Sequence, residues 1–384
     1  MAYVKFLLFR QTAPSFFKDH NFSEGGWGYL REPSPWGTGA FQLVEGDTIM
    51  GGPSAREVFE AFDGYWERSY PKVKRVVFEN WLQNDRTEAM RLCRETEGNV
   101  DIVSYIRPLD TLKVAESPYA KVVKSRDVTW FGVWFNQRKK ESKWRDIRLR
   151  KAISYAINRE ELLKYAAKGN AYNLGGSIPP GAYGHNPELT PHSFNAEKAK
   201  TLLSEAGYPN GFKLKAITFE AWRLEAQIIC KMLERIGLEP SLEVLSWPAY
   251  FQKMYVPALK EPPEKQEWDL SISDTQDYYG HTAASFLTWG PLEESDIRWM
   301  EYNPSYQAKW KDLVTTRDRD IQERKIRHLS RYLHDKFRAI SIYSPISLYA
   351  VNKEVNFVPQ KDGHMRLKET SVTENHWSVR GKNN

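Results

Sequence analysis

The chain has 384 residues, 41% hydrophobic and 27% charged, a globular balance that excludes wholesale disorder and is long enough for two domains. Lys and Arg total 55 against 49 Asp and Glu, and a net charge of +6 is too mild to require a nucleic-acid or membrane partner. No run of about 18 apolar residues occurs, so no transmembrane helix is expected; the apolar stretch at residues 6–9, interrupted by Arg10, is too short for an export signal.

Residues 40–44 and 73–78 read as short strands, 87–96 as a helix stopped at Gly98, and 100–103 as a strand. Residues 129–136 (TWFGVWFN), rich in aromatic and β-branched side chains, are the strongest strand candidate. Leu149, Ala152, Ile153, Ala156 and Ile157 then recur at helical spacing and define one buried face. Asn158, with Glu161 three residues on, has the pattern of a capping box opening the next helix. Residues 175–184 (GGSIPPGAYG) form a loop by composition. Asn195 opens a helix with Ala199, Leu202, Leu203 and Ala206 inward and Gly207 at its end. Residues 212–219, 222–236 and 242–245 give strand, amphipathic helix and strand, a βαβ unit whose strands should be parallel. Residues 268–273 read as a strand, 321–337 as a long helix, and 342–351 as an extended segment around Pro345.

No catalytic constellation emerges. Gly37-Thr38-Gly39 begins like a dinucleotide fingerprint, but the sixth position is Gln42 and a strand follows where a helix is needed. There is no Walker A loop, no HExxH and no GxSxG elbow. Cys93 and Cys230 are too isolated for a disulfide framework or a metal motif and read as two buried thiols. His328 and His334, six apart, fall on different faces of a helix, so no metal site and no cofactor are expected. Residues 138–151 (RKKESKWRDIRLRK) carry eight basic and two acidic side chains. They could meet phosphates, but one Trp without aromatic interleaving favours a solvated loop running into a helix. The unusual number is the aromatic share, 14%, which suits both cores and clefts for organic ligands.

A family resemblance gathers these pieces. Gly37-Thr38-Gly39-Ala40-Phe41 resembles the GTG signature of the bacterial extracytoplasmic solute-binding proteins of the peptide/nickel type, family 5. Phe62-Asp63-Gly64-Tyr65-Trp66 resembles that family's Y-W segment, and Glu97-Gly98-Asn99-Val100-Asp101 its G-E-V-D strand start. Its most specific stretch, D-x-R-V-R-x-A followed by A-I-D-R, is matched from Asp146 through Arg148, Arg150 and Ala152 to Arg159. Pro179-Pro180-Gly181 and Glu205-Ala206-Gly207-Tyr208 follow in order. The GTG signature stands at residue 37, earlier than in the family, so the resemblance implies an N-terminally shortened chain without an export signal.

The resemblance implies an α/β, periplasmic-binding-protein-like fold: two α/β lobes joined by crossing hinge strands, with the first lobe incomplete. Its parts would be residues 1–128 for the first lobe, 129–342 for the second, and 343–384 returning to complete the first, with crossings at 129–136 and about 341–348. An incomplete first lobe would leave an open sheet edge or exposed apolar surface. The implied function is the solute-binding, oligopeptide-binding component of an ABC importer. It would be periplasmic or extracytoplasmic, would work with permease subunits, and would neither span the membrane nor catalyse a reaction. A carboxylate for the ligand's ammonium terminus is implied in the acidic-aromatic segment 274–280, with Asp277-Tyr278 matching the family's D-Y step and Asp274 as second candidate. Trp222 and Trp247, each placed after a strand of the βαβ unit, Trp289 beyond the acidic segment, and Trp134 in the first crossing are candidate ligand contacts. Oligosaccharide or metal-chelate binding, and nucleic-acid binding through residues 138–151, are the alternatives.

Overall fold

The computed structural model describes residues 39–46, 54–139, 141–260, 265–275, 290–292, 299–359 and 367–380. The chain divides into two compact units, Asp127–Ile346 and the stretches before and after it.

The unit made by the two ends of the chain opens with an antiparallel meander of β1 (Phe41–Glu45), β2 (Glu57–Ala61) and β3 (Arg75–Phe78). Helix α1 (Arg86–Glu95) starts where the Asp85 carboxylate accepts the Glu88 amide at 3.0 Å, satisfying a first-turn N–H that has no partner within the helix. It ends before Gly98, whose φ of +89° suits glycine. β4 (Ile102–Val103), α2 (Thr111–Ala115) and β5 (Ala120–Arg126) follow. Asp101, just before β4, has a structural role: its Oδ1 accepts from Asn352 Nδ2 (3.2 Å) and Trp377 Nε1 (3.0 Å) and lies 3.1 Å from His376 Nε2. Glu97 pairs with Arg380 at 2.9 Å. The 97–101 motif thus fastens the C-terminal segment to this unit. Cys93 is buried, as the sequence suggested, with its Sγ 3.7 Å from the Ala350 carbonyl.

The other unit is built on β6 (Trp130–Phe135), buried at every position. After it come α3 (Ile147–Ala156), α4 (Arg159–Tyr165), β7 (Ala171–Asn173), α5 (Ala196–Glu205), β8 (Lys213–Phe219), α6 (Arg223–Glu234), β9 (Glu239–Leu245), α7 (Trp247–Lys260), β10 (Leu270–Thr275), α8 (Pro304–Thr315), α9 (Arg319–Asp335) and β11 (Ala339–Asn352). The strands run in the order β11-β6-β10-β8-β9. β8 is parallel to both β9 and β10, as a βαβ unit requires, while β6 is antiparallel to β10 and β11. β11 continues past residue 346 into the first unit, where it pairs with β4 through Ala350 and Val351; the short pair β12 (Val355–Asn356) and β13 (Ser371–Val372) follows.

Strand periodicity explains the layering. Phe131, Val133 and Phe135 of β6 face one apolar cluster with Leu214 and Ala216 of β8, Leu270 and Ile272 of β10, and the inner faces of α3, α5 and α6. Trp130 and Trp134 face a second cluster with Tyr250 and Met254 of α7, Tyr306 and Trp310 of α8, and Ile326, Leu329 and Leu333 of α9. The helical face read from the sequence is present, since Leu149, Ala152, Ile153, Ala156 and Ile157 are each at most 1% exposed. Asn158 Oδ1 accepts the Glu161 amide at 3.3 Å and Asn195 Oδ1 the Lys198 amide at 2.8 Å, so both predicted caps form. Helices α7 and α8 were not anticipated. Two prolines within α7 argue against a helix in sequence, but Pro248 sits in the first turn, where its missing N–H has no intrahelical partner to lose. Pro304 likewise opens α8 behind an Asn303 cap.

Between its buried aromatic neighbours β6 carries one glycine. A Cβ at Gly132 would lie 2.2 Å from the Ile340 carbonyl oxygen of β11 and 2.7 Å from the Trp130 ring. The close approach of the two strands depends on that missing atom. Gly132→Ala should therefore lower stability by at least ~2 kcal/mol, as expected when a packed core must shift. Urea unfolding followed by tryptophan fluorescence would measure it; an unchanged midpoint would refute the close approach.

Candidate functional site

Parallel strands present their carboxyl ends together, and the segments leaving them converge there. Asp274 is the fifth residue of β10, on the same face as Leu270 and Ile272, and lies opposite Phe131 in the register with β6. Trp222 follows β8 at the start of α6. Its Nε1 donates to Asp274 Oδ1 at 2.7 Å, and its ring stacks on Phe131 with centroids 4.4 Å apart and planes at 22°. The carboxylate is thus held by an indole that is itself held by a buried ring.

Tyr343 joins this group because of a backbone irregularity. β11 changes register against β6 between Ser341 and Tyr343, so Ile342 and Tyr343 both reach the same apolar cluster. Tyr343 lies 5.1 Å from the Phe131 ring, and its hydroxyl donates to Glu225 Oε1 in the first turn of α6 at 2.9 Å. Burial pushes the Glu225 carboxyl up, opposed by the Tyr343 hydrogen bond. Asp274 is only partly accessible; desolvation pushes its pKa up to about 6, the Trp222 bond opposes the shift, and the charge of Asp127 adds to it. The group is therefore acidic, aromatic and poorly solvated, and an incoming cation would relieve the desolvation of its carboxylates.

Of the residues proposed from sequence, Asp274 and Trp222 meet here. Trp247 lies on the opposite face of the sheet. It is the first residue of α7 rather than a loop residue, 45% exposed, with its ring 5.0 Å from Phe219 and 5.9 Å from Tyr250. Trp134 is 2% exposed and packs 4.7 Å from Trp130 and 5.7 Å from Trp299, a core position facing no solvent. Asp277, Tyr278 and Trp289 lie outside the described residues. Sequence reasoning missed Tyr343 and Glu225, since no local pattern announces a register shift.

Two arginines of the basic cluster at 138–151 bond to backbone at helix ends, Arg148 while half exposed and Arg150 buried. Asp146 caps α3 and pairs with Arg148 at 2.6 Å; Arg148 Nη1 also donates to the Glu205 carbonyl at the end of α5 at 2.6 Å. Arg150 is 3% exposed and donates to the carbonyls of Phe337 (2.9 Å) and Lys336 (3.0 Å), just beyond α9, and to those of Trp144 and Arg145. The buried Arg150, spent on helix-end carbonyls, is not displayed for phosphates. Among the described residues no group of His, Cys, Asp and Glu is placed to hold a metal ion.

Comparison with known proteins identifies the class. Residues 4–295 match the profile of the bacterial extracellular solute-binding proteins, family 5 Middle, and the chain belongs to that family. It is 24% identical over 227 residues to the dipeptide-binding protein of Escherichia coli, covering 57% of this chain and 40% of that one. It is 27% identical over 253 residues to the nickel-binding periplasmic protein of the same species, covering 61% and 45%. The chain spans less than half the length of these curated relatives. Among solved structures, an oligopeptide-binding protein from Bacillus subtilis in complex with a nonapeptide superposes with a TM-score of 0.71 at 16% identity, covering 88% of this chain and 67% of that one. The Staphylococcus aureus NikA in complex with Ni(L-His)2 also gives 0.71, at 18% identity, covering 89% and 70%. The fold is therefore that of the periplasmic binding proteins.

The raised pKa of Asp274 makes a stability prediction. Its folded value, about 6, exceeds the ordinary 3.8, so the folded state holds the proton more tightly. Stability should fall as pH rises from about 4 to 6 and then level off. Asp274→Asn removes the charge and should stabilise the protein at pH 7.5 by ~1–3 kcal/mol, a gain that vanishes near pH 4. Thermal unfolding at both pH values tests this; equal shifts at both would refute the desolvated carboxylate.

Proposed function

We propose that the chain is the solute-binding component of an ABC import system, acting outside the cytoplasm, and that its ligand is an oligopeptide. Family membership and the peptide-, nickel- and glutathione-binding names of the relatives support a carrier that captures a solute without transforming it. Among the described residues no helix is long and apolar enough to cross a membrane, so permease subunits would supply the passage.

The observation that carries the peptide reading is the Asp274–Trp222 pair at the carboxyl ends of β10 and β8. A peptide's ammonium terminus pairs with the Asp274 carboxylate, which Trp222 holds in one orientation. Ligand main-chain groups bond in strand-like fashion to backbone nearby, and solvated pockets accept varied side chains. Trp247, half exposed beside Tyr250 and Phe219 on the other face of the sheet, is left out of this pairing. A nucleic-acid partner is not part of this reading, since Arg148 and Arg150 of the basic cluster bond to carbonyls at the end of α5 and just beyond α9.

Proton linkage gives the test. A cation at Asp274 requires the ionised form, so peptide binding should strengthen as pH rises through about 6, by about tenfold between pH 5 and 7.5. Calorimetry with unblocked peptides should show this rise; Asp274→Asn should flatten it, and N-acetylated peptides should lose it. Tight binding of glycans, with peptides ignored, would overturn the oligopeptide reading, and undiminished peptide binding by Asp274→Asn would remove Asp274 from it.

A further inference from the structure

A cavity of about 20 Å³ lies within the Asp127–Ile346 unit, away from the Asp274 group, on the face of β6 that carries Trp130. Its walls come from that Trp, from Ser177 in the 175–184 loop, from His192, from Ser330 and Leu333 of α9, and from Ser341 of β11. Ser177 and Ser330 are 9% and 1% exposed, and the hydroxyl oxygen of each is buried without a hydrogen-bond partner. A buried hydroxyl in that condition forfeits the hydrogen bonds it made to water in the unfolded chain, and here two of them border one small space.

The local sequence preserves that space. Gly176 also lines it, and a Cβ there would lie 3.0 Å from Ser330 Oγ and 2.8 Å from Leu189 Cδ1. The lining contains no carboxylate, lysine or arginine; of its two imidazoles, burial pushes the His192 pKa down to about 3, and His334 has its ring nitrogens 3.0 Å from Asp335 Oδ1 and 3.0 Å from the Thr190 carbonyl. Among the described residues no group of His, Cys, Asp and Glu is placed to hold a metal ion, and about 20 Å³ is too small for an organic group. A small neutral molecule that both donates and accepts fits, and about 10–15 Å³ of such space suffices for one water.

We infer that this cavity binds one ordered water molecule, held between Ser177 Oγ and Ser330 Oγ, which ties the glycine-rich loop to α9 where β6 and β11 pair. The water does for these hydroxyls what no protein group does, and it couples two segments that share no direct hydroxyl contact.

Two experiments on the full chain test it. A crystal structure at about 1.8 Å or better should show a density peak within ~3.2 Å of both oxygens. No peak, or Ser330 Oγ rotated onto the carbonyl four residues before it, would overturn the inference. Independently, Ser177→Ala, Ser330→Ala and the double variant should form a non-additive cycle in urea unfolding. Removing the second hydroxyl should shift the midpoint by less than half of what it does alone, because the first removal has already loosened the water. Strictly additive shifts would overturn the inference; if one variant fails to fold, the density at the two oxygens still decides.

Discussion

Strand β6 has no position facing water, and the rest of the larger unit is arranged around that fact. Its odd residues enter one apolar cluster and Trp130 and Trp134 the other, so a six-residue segment anchors two layers of helices at once. Burial of such a strand demands that both edges be paired, which β10 and β11 do. It also demands close strand contact, which Gly132 permits. The position of Asp274 follows from the same alternation: β10 continues the apolar face of Leu270 and Ile272 by one further step, to a carboxylate where the strand ends.

The arginines of the family motif show how a strong sequence signal can be structural. Asp146 caps one helix, Arg148 closes the end of a second, and Arg150 satisfies carbonyls just beyond a third. Arg159, 5% exposed, donates to the carbonyls of Ser154, His192 and Ser341. Unpaired helix-end carbonyls are expensive to bury, and guanidinium groups with several donors reach many of them from one stem. The same cluster, taken as bare charge, looks like a phosphate patch; only the bonding partners separate the two readings.

The Asp274 group combines fixed geometry with unfavourable solvation. An indole fixes the carboxylate and burial raises its pKa, so the group is held in one conformation while its charge is poorly compensated. Sites that recognise charged ligands have this character, since the missing stabilisation is supplied by the ligand.

Local chemistry was legible in the residues themselves. The βαβ unit, the buried helix face from Leu149 to Ile157, the caps at Asn158 and Asn195 and the two buried thiols follow from periodicity and side-chain bonding within a few positions. The family followed from short motifs in order along the chain. Contacts across the chain were decided by the tertiary structure. Trp222 and Asp274 stand 52 positions apart and Tyr343 and Glu225 118, and these pairs meet only when β8, β10, α6 and the shifted end of β11 are assembled. Whether a tryptophan packs or faces solvent was likewise beyond the sequence. Trp134 and Trp247 are chemically identical, and the strand face and helix position each occupies decide that one is 2% exposed and the other 45%.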